Sequence, residues 1–265
     1  MRTAIHFQKI IKKFHGMPSL RIEDLRIYER ETVAFYGLSQ EYNEGIVNQM
    51  TGVYPPDEGT IKISGTDYSG FSDEKAWFRY LEDFGIYNAQ PVFQEGSSIG
   101  ENVAMLYRLR NDLIEEPQLS ASVLKLANLV QLTITDLSKM MSEAGVSLRM
   151  KVRLSRALAY RPKVVILLDP TNELSSDIAV KLVELVKRAR RKLRFTLVLF
   201  SSDIWFVQQL SDRVIFLSPQ DGFFIENQLR GWYHKLFPFL NPSAAQLMQL
   251  SRDILHHSRF SKIRL

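Results

Sequence analysis

The 265-residue sequence contains no cysteine and no long apolar run. Without cysteine, disulfides and a cysteine nucleophile are excluded. The longest apolar runs, 164–168 and 195–200, are far shorter than the roughly 20 residues that span a bilayer. The N-terminal segment MRTAIHFQKIIKKF alternates like a strand and lacks the apolar core of a signal peptide. We therefore expect a cytoplasmic protein that contacts membrane only peripherally or through a partner.

Lysine is absent from residues 36–60, a segment that otherwise has the pattern of a nucleotide-binding loop. An apolar strand ends at Gly37, an apolar helix is predicted over 46–51, and a Gly/Pro-rich turn follows from Gly52. Loops of this type hold phosphate with backbone N–H groups and one lysine. The frame is therefore present without the side chain that binds phosphate.

The overall composition is typical of a globular protein, with 45% apolar and 24% charged residues. The net charge of +5 has its densest source in KRARRKLR, residues 187–194. This run is consistent with a solvated helix C-terminus, whose dipole favours cations, or with a contact for acidic lipid or nucleic acid. No nucleic-acid recognition module accompanies it, so we expect no nucleic-acid partner.

The order of predicted elements indicates an α/β fold. Alternating segments before residue 37 and at TIKISG predict strands, and residues 85–151 are mainly helical. Helices and strands then alternate, as is typical of a parallel sheet, and a short edge strand follows SPQDGFF. The predicted elements are helix 153–160, strand 164–168, helix 176–191, strand 195–200, helix 204–211 and strand 213–217.

These segments together resemble the ATPase subunit of an ABC transporter over residues 4–226. The resemblance lies in TGVYPPDEGTIKISG, IGENVAM, LSRALAYRPKVVILLDPT and FSSDIWFVQQLSDRVIFL. Phe14 lies where the family stacks an aromatic ring on adenine. The implied fold is a P-loop NTPase-like ABC ATPase domain over 1–230, with an antiparallel β subdomain and a helical subdomain at about 95–150. A helical C-terminal tail, 231–265, would pack on its own domain or on a partner.

The resemblance places degenerate residues throughout the phosphate loop. Aligned on Gly37, the chain has Gln40 and Tyr42 at two glycine positions, Asn43 at the lysine and Glu44 at the magnesium-binding hydroxyl. Side chains oppose the close approach and positive φ that glycine allows. A carboxylate ~4 Å from a phosphate charge costs about 4 kcal/mol near a protein surface. We expect a loop retained for packing and not for phosphate.

The acidic residues of the second nucleotide strand are also incomplete. Without a gap, Leu168 replaces the magnesium-associated aspartate, and Asp169 is a shortened form of the general-base glutamate. With a one-residue gap, Asp169 is the magnesium-side aspartate and the base is missing. Asp169 is equally consistent with a cap or turn residue before Pro170.

The signature segment of the family corresponds to Ala144, Gly145, Val146, Ser147 and Leu148. In an ABC dimer this segment presents a serine and a helix N-terminus to the partner's γ-phosphate. Here Gly145 stands at the serine and Val146 at a glycine. The helix dipole would still favour an anion slightly, and Ser147 would be an imperfect substitute.

Two further positions complete the comparison. The switch histidine is replaced by Ser202, whose hydroxyl does not titrate near neutral pH. The glutamine that senses the γ-phosphate corresponds to Gln90 or Gln94, and the spacing leaves both open.

The resemblance and its departures predict a catalytically inactive pseudo-ATPase with no catalytic residue and no metal site. No cofactor is expected, except ATP with magnesium at a site shared with a partner. The predicted partners are an active ABC ATPase and a transmembrane permease on the cytoplasmic face of the membrane. The segment MMSEAGVSLRMKVRLSRAL, 140–158, is most similar to ATPases of MCE-type lipid transport systems, which would add an MCE-domain protein as a partner. ABC systems for sugars, peptides or drugs are the alternatives.

Two alternatives belong to other classes of protein. One is a soluble ABC-like scaffold or regulatory protein without a permease. The other is an unorthodox nucleotide-binding enzyme that uses the residues present in the loop.

Overall fold

The structure is a computed structural model that describes residues 2–67, 73–88, 92–110, 113–217 and 224–227. The predicted tail, 231–265, and Gln90 lie outside these residues. Within them, two β-sheets and a set of helices form the fold. None of the described helices combines the length and the apolar character needed to cross a membrane.

The first sheet is antiparallel, and its long strands come from the N-terminal alternating segments. Alternation places Ile5 and Phe7 in the core, whereas the intervening His6 and the following Gln8 are partly exposed. The chain reverses between the first two strands at Gly16, whose φ of 71° glycine adopts without steric cost. The spatial order is β2-β1-β4-β5. The strands are β1 Thr3–Phe14, β2 Met17–Tyr28, β4 Glu58–Ile63 and β5 Thr66–Asp67.

The second sheet is parallel except at one edge. Its order is β10-β9-β3-β8-β7-β6, and only β10 runs antiparallel to its neighbour among the described strands. This confirms the predicted parallel sheet and the short edge strand. The strands are β3 Thr32–Tyr36, β6 Phe84–Asn88, β7 Val164–Leu168, β8 Thr196–Ser201, β9 Arg213–Leu217 and β10 Phe224–Asn227.

The helices cover both faces of the parallel sheet. Helices α3 to α6 pack on one another, as expected for a helical subdomain. The helices are α1 Gln40–Thr51, α2 Glu74–Leu81, α3 Ile99–Arg110, α4 Glu116–Leu129, α5 Ile134–Ser138, α6 Val146–Leu158, α7 Ser176–Leu193 and α8 Ile204–Leu210, with a short 3₁₀ helix at Met141–Glu143.

Two apolar cores lie on the two faces of the parallel sheet. Strand β7 shows the division, because Leu167 joins the core under the helical subdomain and α7. Ile166 and Leu168 join the core formed with α1 and the antiparallel sheet. Alternate residues of a strand point to opposite faces, so a continuous apolar strand serves both cores.

Several predicted boundaries were wrong. Helix α1 begins at Gln40 and not at residue 46, because no glycine interrupts residues 40–44. Helix α6 begins at Val146 and not at 153. Strand β6 and helix α2 were not predicted at all. Strand β6 is short and contains Gly85, which lies against the backbone of α6, a contact that local sequence does not reveal.

Candidate functional site

The loop after β3 is short, because β3 ends at Tyr36 and α1 begins at Gln40. Gly37 has φ of 71°, and its N–H donates to the Ser201 carbonyl at 3.3 Å. Ser39 is already the N-terminal cap residue of α1, so Gln40 and Tyr42 adopt helical backbone. The helix therefore takes up the part of the chain that glycines would otherwise shape around an anion.

Tyr42 is buried at 4% exposure where α1 meets the antiparallel sheet. Its hydroxyl donates to the Pro18 carbonyl at 2.8 Å, and its ring meets Phe14 edge-on at 5.0 Å. Phe14 also covers Gly45, where an added Cβ would lie 2.5 Å from the Phe14 ring. The predicted adenine-stacking residue is thus in contact with α1 itself, and its stacking on adenine stays a prediction.

Asn43, which the resemblance aligned with the family's lysine, lies inside the protein at 3% exposure. Its Nδ2 is 3.5 Å from Asp169 Oδ2, and its Oδ1 has no hydrogen-bond partner among the described residues. Asp169 follows β7 with φ of 44°, and its carbonyl accepts from Asn172 N–H at 3.2 Å. That turn agrees with one of the roles predicted for Asp169; its alignment with either catalytic carboxylate stays a prediction.

The charge around this loop is negative. Burial raises the pKa of Asp169, against a hydrogen bond from Asn43 that lowers it, and the nearby charge of Glu44 raises it further. Glu44 accepts from Gln40 Nε2 at 2.7 Å. A hydrogen bond from the Ser39 side chain lowers the pKa of Glu41 in the first turn of α1. The chain's own carboxylates thus lie at the helix N-terminus, where an anion would otherwise be favoured.

Leu168 and Ser202 occupy contrasting environments. Leu168 ends β7 at 8% exposure and packs in the apolar core beside α1. Ser202 is exposed in the segment after β8. The adjacent Asp203 begins α8 as its cap, since its carboxylate accepts from Phe206 N–H at 3.1 Å. Neither Leu168 nor Ser202 offers an ionised group to this edge of the sheet.

The signature-like segment lies at the start of α6. Gly145 is the extended cap residue without a side-chain cap, and Val146 is 45% exposed. Ala144 is buried, whereas Ser147 and Leu148 are half-buried. The first turn of α6 has no acidic residue, in contrast with α1.

Sequence reasoning missed the arginine that holds this segment in place. Arg149 donates to the Ala144 carbonyl at 2.9 Å and to both Glu95 oxygens at 2.7 and 2.8 Å. The hydrogen bonds of this pair lower the pKa of Glu95 and raise that of Arg149. No local pattern signals the pair, because its members are 54 residues apart.

Gln94 is held by its backbone and not by its side chain, which is exposed. Its N–H donates to Asn102 Oδ1 at 3.0 Å, and its carbonyl accepts from Asn102 Nδ2 at 2.9 Å. Asn102 is fully buried and also accepts from Arg156 at 2.8 Å. The alternative, Gln90, lies outside the described residues, so the choice between them stays open.

Comparison with known families decides the identity of this arrangement. The profile described as ABC transporter matches residues 23–172, more than half of the chain. The chain belongs to the ABC transporter family. The matched region runs from β2 to the turn after β7, so it includes the loop, the helical subdomain and the signature-like segment. The chain therefore carries an ABC transporter ATP-binding domain.

Relatives of this ABC domain share about a quarter of its residues. The sulfate/thiosulfate import ATP-binding protein CysA of Mesostigma viride is 26% identical over 213 residues, which cover 80% of this chain and 58% of that protein. CysA of Pseudomonas putida is 26% identical over 220 residues, covering 81% and 64%. The chain thus spans about three fifths of the length of these curated relatives.

Solved structures support the same fold for this ABC domain. The structure of cbiO1 from Clostridium perfringens, described as part of the ABC transporter complex cbiONQ, has a TM-score of 0.75. Its sequence identity is 17%, and the match covers 89% of this chain and 92% of that one. The expected fold, an α/β P-loop ABC ATPase domain with an antiparallel β subdomain, is confirmed.

Proposed function

We propose that this chain is a catalytically inactive ABC ATPase-like subunit. It would pair with an intact ABC ATPase and dock with it on the cytoplasmic face of a membrane permease. Family membership supports the ATPase-like fold and the pairing with transporter components. The residues of the phosphate loop support the inactivity.

The observation that carries the proposal is the buried contact between Tyr42 and Phe14. The family's loop needs backbone N–H groups free to face phosphate, whereas here residues 40–42 already belong to α1 and the Tyr42 ring packs against Phe14. Within residues 37–45 there is no cation to balance the triphosphate charge. The residues present do not fit ATP with magnesium, and no hydrolytic step is assigned to them.

Pairing with an intact subunit leaves one usable site. In the family, each nucleotide lies between one subunit's phosphate loop and the other's signature. A homodimer of this chain would have two defective loops, whereas a heterodimer would have one intact loop facing residues 144–148. The start of α6 suits that position partly, because it carries neither an acidic residue nor a side-chain cap in its first turn.

The most specific part of the proposal is the class of molecule that the transporter carries. The similarity of residues 140–158 to MCE-type systems favours lipid and adds an MCE-domain protein to the complex. The two CysA relatives are named instead for sulfate and thiosulfate import. Identification of the co-purifying proteins decides between these cargo classes.

The first experiment is a mild-detergent pull-down of the tagged chain from its native membranes, followed by mass spectrometry. We expect an intact ABC ATPase and a multi-span permease to be retained together. An MCE-domain protein in the same complex supports lipid as the cargo. Recovery of the chain alone from the soluble fraction contradicts the transporter role and supports a scaffold.

Inactivity is tested on the purified complex by paired substitutions. Changing the phosphate-loop lysine of the intact partner should abolish phosphate release, while Asn43→Ala in this chain should leave the rate unchanged. If Asn43→Ala removes a substantial part of the turnover, the inactive assignment is wrong and the loop of this chain binds nucleotide by unorthodox contacts.

A further inference from the structure

A cavity of about 570 Å³ lies on the opposite edge of the parallel sheet from the phosphate loop. Its walls come from α4, from the chain between α6 and β7, and from the end of α7. Tyr160 and Leu193 shortly precede β7 and β8, whereas the phosphate loop follows the end of β3. A five-residue strand separates the two edges by about 16 Å. Binding in this cavity would therefore be independent of the nucleotide-like site.

The inner wall of the cavity is formed by leucine side chains and two tyrosine rings. Leu126, Leu129 and Leu158 are buried in the core beneath it. The rings of Tyr107 and Tyr160 meet edge-on at 5.8 Å. The hydroxyl of each tyrosine donates to a backbone carbonyl, which fixes the position of the ring's outer end. Tyr107 donates to Ala159 at 2.8 Å, and Tyr160 donates to Leu106.

The rim of the cavity is positively charged. Lys125, Arg161 and Lys192 all line it, and no carboxylate does so within the described part of the chain. None of the three cations has a hydrogen bond or ion pair to another described residue. Burial raises the pKa of the Tyr107 hydroxyl, and the charge of Arg161 acts in the opposite direction, as expected if Arg161 lies near the tyrosine wall.

Asn128 adds an oriented hydrogen-bond donor to the same rim. Its Oδ1 and its carbonyl both accept from Arg188 Nη2 at 3.3 Å. With the oxygen used in this way, the amide NH₂ group remains to donate. Arg188 contributes a further positive charge behind the rim. Lys125 belongs to α4, Arg188 and Lys192 belong to α7, and Arg161 lies between α6 and β7, so these cations come together only in the folded chain.

We propose that this cavity binds a phosphorylated ligand with an apolar or aromatic body. A phosphate dianion would be held between Lys125, Arg161 and Lys192, since cations without counter-ions bind phosphate by charge-assisted hydrogen bonds. The body of the ligand would contact the leucines and the tyrosine rings. The volume of the cavity is within the range of small-ligand sites, and its lining combines polar and apolar side chains. A soluble phosphate ester and a phospholipid headgroup share this chemistry.

The test measures phenyl phosphate binding by calorimetry at low salt. We expect saturable binding to the full chain, weakened about tenfold or more in Lys125→Gln/Lys192→Gln. The matched control is Lys187→Gln/Arg191→Gln, which removes the same charge from exposed positions of α7 outside the cavity and should retain the wild-type affinity. Ser122→Leu fills the cavity without changing charge and should also weaken binding.

The source of the phosphate is determined with phosphatidylcholine vesicles, with and without phosphatidic acid. Flotation with phosphatidic acid vesicles that is lost in Lys125→Gln/Lys192→Gln, and kept in the control pair, supports a lipid headgroup. Phenyl phosphate binding without flotation supports a soluble ester. The proposal is overturned if neither probe binds, or if both charge pairs weaken binding equally while thermal unfolding shows that the variants are folded.

Discussion

The position of the Phe14 ring depends on the absence of a side chain at Gly45. The Phe14 ring lies on α1 only because residue 45 has no Cβ, which would approach the ring to 2.5 Å. A helical glycine normally costs about 1 kcal/mol relative to alanine. Glycine at position 45 therefore lowers the helix propensity of α1 but allows the Phe14 ring to pack against the helix.

This dependence predicts coupling between the two positions. In a Phe14→Ala background, Gly45→Ala should stabilise the protein by about 0.5–1 kcal/mol through helix propensity. In the wild-type background that gain should be absent, because the ring must move. Urea unfolding of the four proteins measures the coupling, and an equal effect of Gly45→Ala in both backgrounds contradicts the contact.

Asp169 carries a charge that its surroundings disfavour. Because burial raises its pKa, the folded chain binds a proton more readily than the unfolded chain. Stability is therefore lost as pH rises above the unfolded pKa of about 4 and through the folded value. Asp169→Asn should stabilise the protein at about pH 7, by a few tenths to about 1 kcal/mol after allowance for solvent screening.

Unfolding at two pH values tests the charge at Asp169. The gain in Asp169→Asn should shrink toward about pH 4, where the wild-type carboxyl takes up its proton. Glu41→Gln is the matched control, since the pKa of Glu41 is lowered and its removal should bring no gain. A gain in Asp169→Asn that persists unchanged in acid would mean that charge is not its cause.

At the scale of elements, the packing of β6 on α6 links the sheet to the helical subdomain. A Cβ at Gly85 would collide with the Ala157 carbonyl oxygen, which belongs to the backbone of α6 and has little room to move. We expect Gly85→Ala to destabilise the protein by about 2–3 kcal/mol, as overpacking does in well-packed interiors.

Gly96→Ala is the control for this prediction. It lies in the segment before α3, and an added Cβ there meets no atom within 4 Å. The urea midpoint should fall strongly in Gly85→Ala and change little in Gly96→Ala. Equal midpoints for the two variants would show that β6 and α6 can separate at little cost.

The elements also show where sequence patterns are sufficient. Strands β7 and β9 were predicted with the bounds that the structure has, because short apolar runs between turns allow few alternatives. The start of α1 was predicted too late, since the resemblance to a phosphate loop outweighed local helix propensity. Strand β6 was missed because its pairing with β7 depends on a partner about 80 residues away.

For the whole molecule, the proposed inactivity predicts that nucleotide binding can be regained without hydrolysis. Restoring the loop with Gln40→Gly, Tyr42→Gly, Asn43→Lys and Glu44→Ser should create ATP binding that the wild-type chain lacks. Phosphate release should remain absent, because the proposed ungapped alignment places Leu168 and Ser202 where the family carries ionisable groups. Calorimetry measures the binding, and a phosphate-release assay measures the chemistry.

Two results would contradict this prediction. Tight ATP binding by the wild-type chain alone would show that the native loop accommodates nucleotide. Weaker binding in the restored variant than in the wild type would mean that Asn43 or Glu44 themselves contact the nucleotide. A Gln40→Gly variant alone serves as the control for loop flexibility, and should bind no ATP.

The sequence by itself determined the class of fold, the order of most elements and the residue types at each family position. These follow from hydrophobic period, turn residues and motif order, which are local properties of the chain. Tertiary structure decided that α1 extends into the phosphate loop and that Tyr42, Phe14 and Pro18 meet there. It also brought Lys125, Arg161 and Lys192 to one cavity. Such contacts join distant parts of the chain, and their energies depend on burial and geometry that no local pattern specifies.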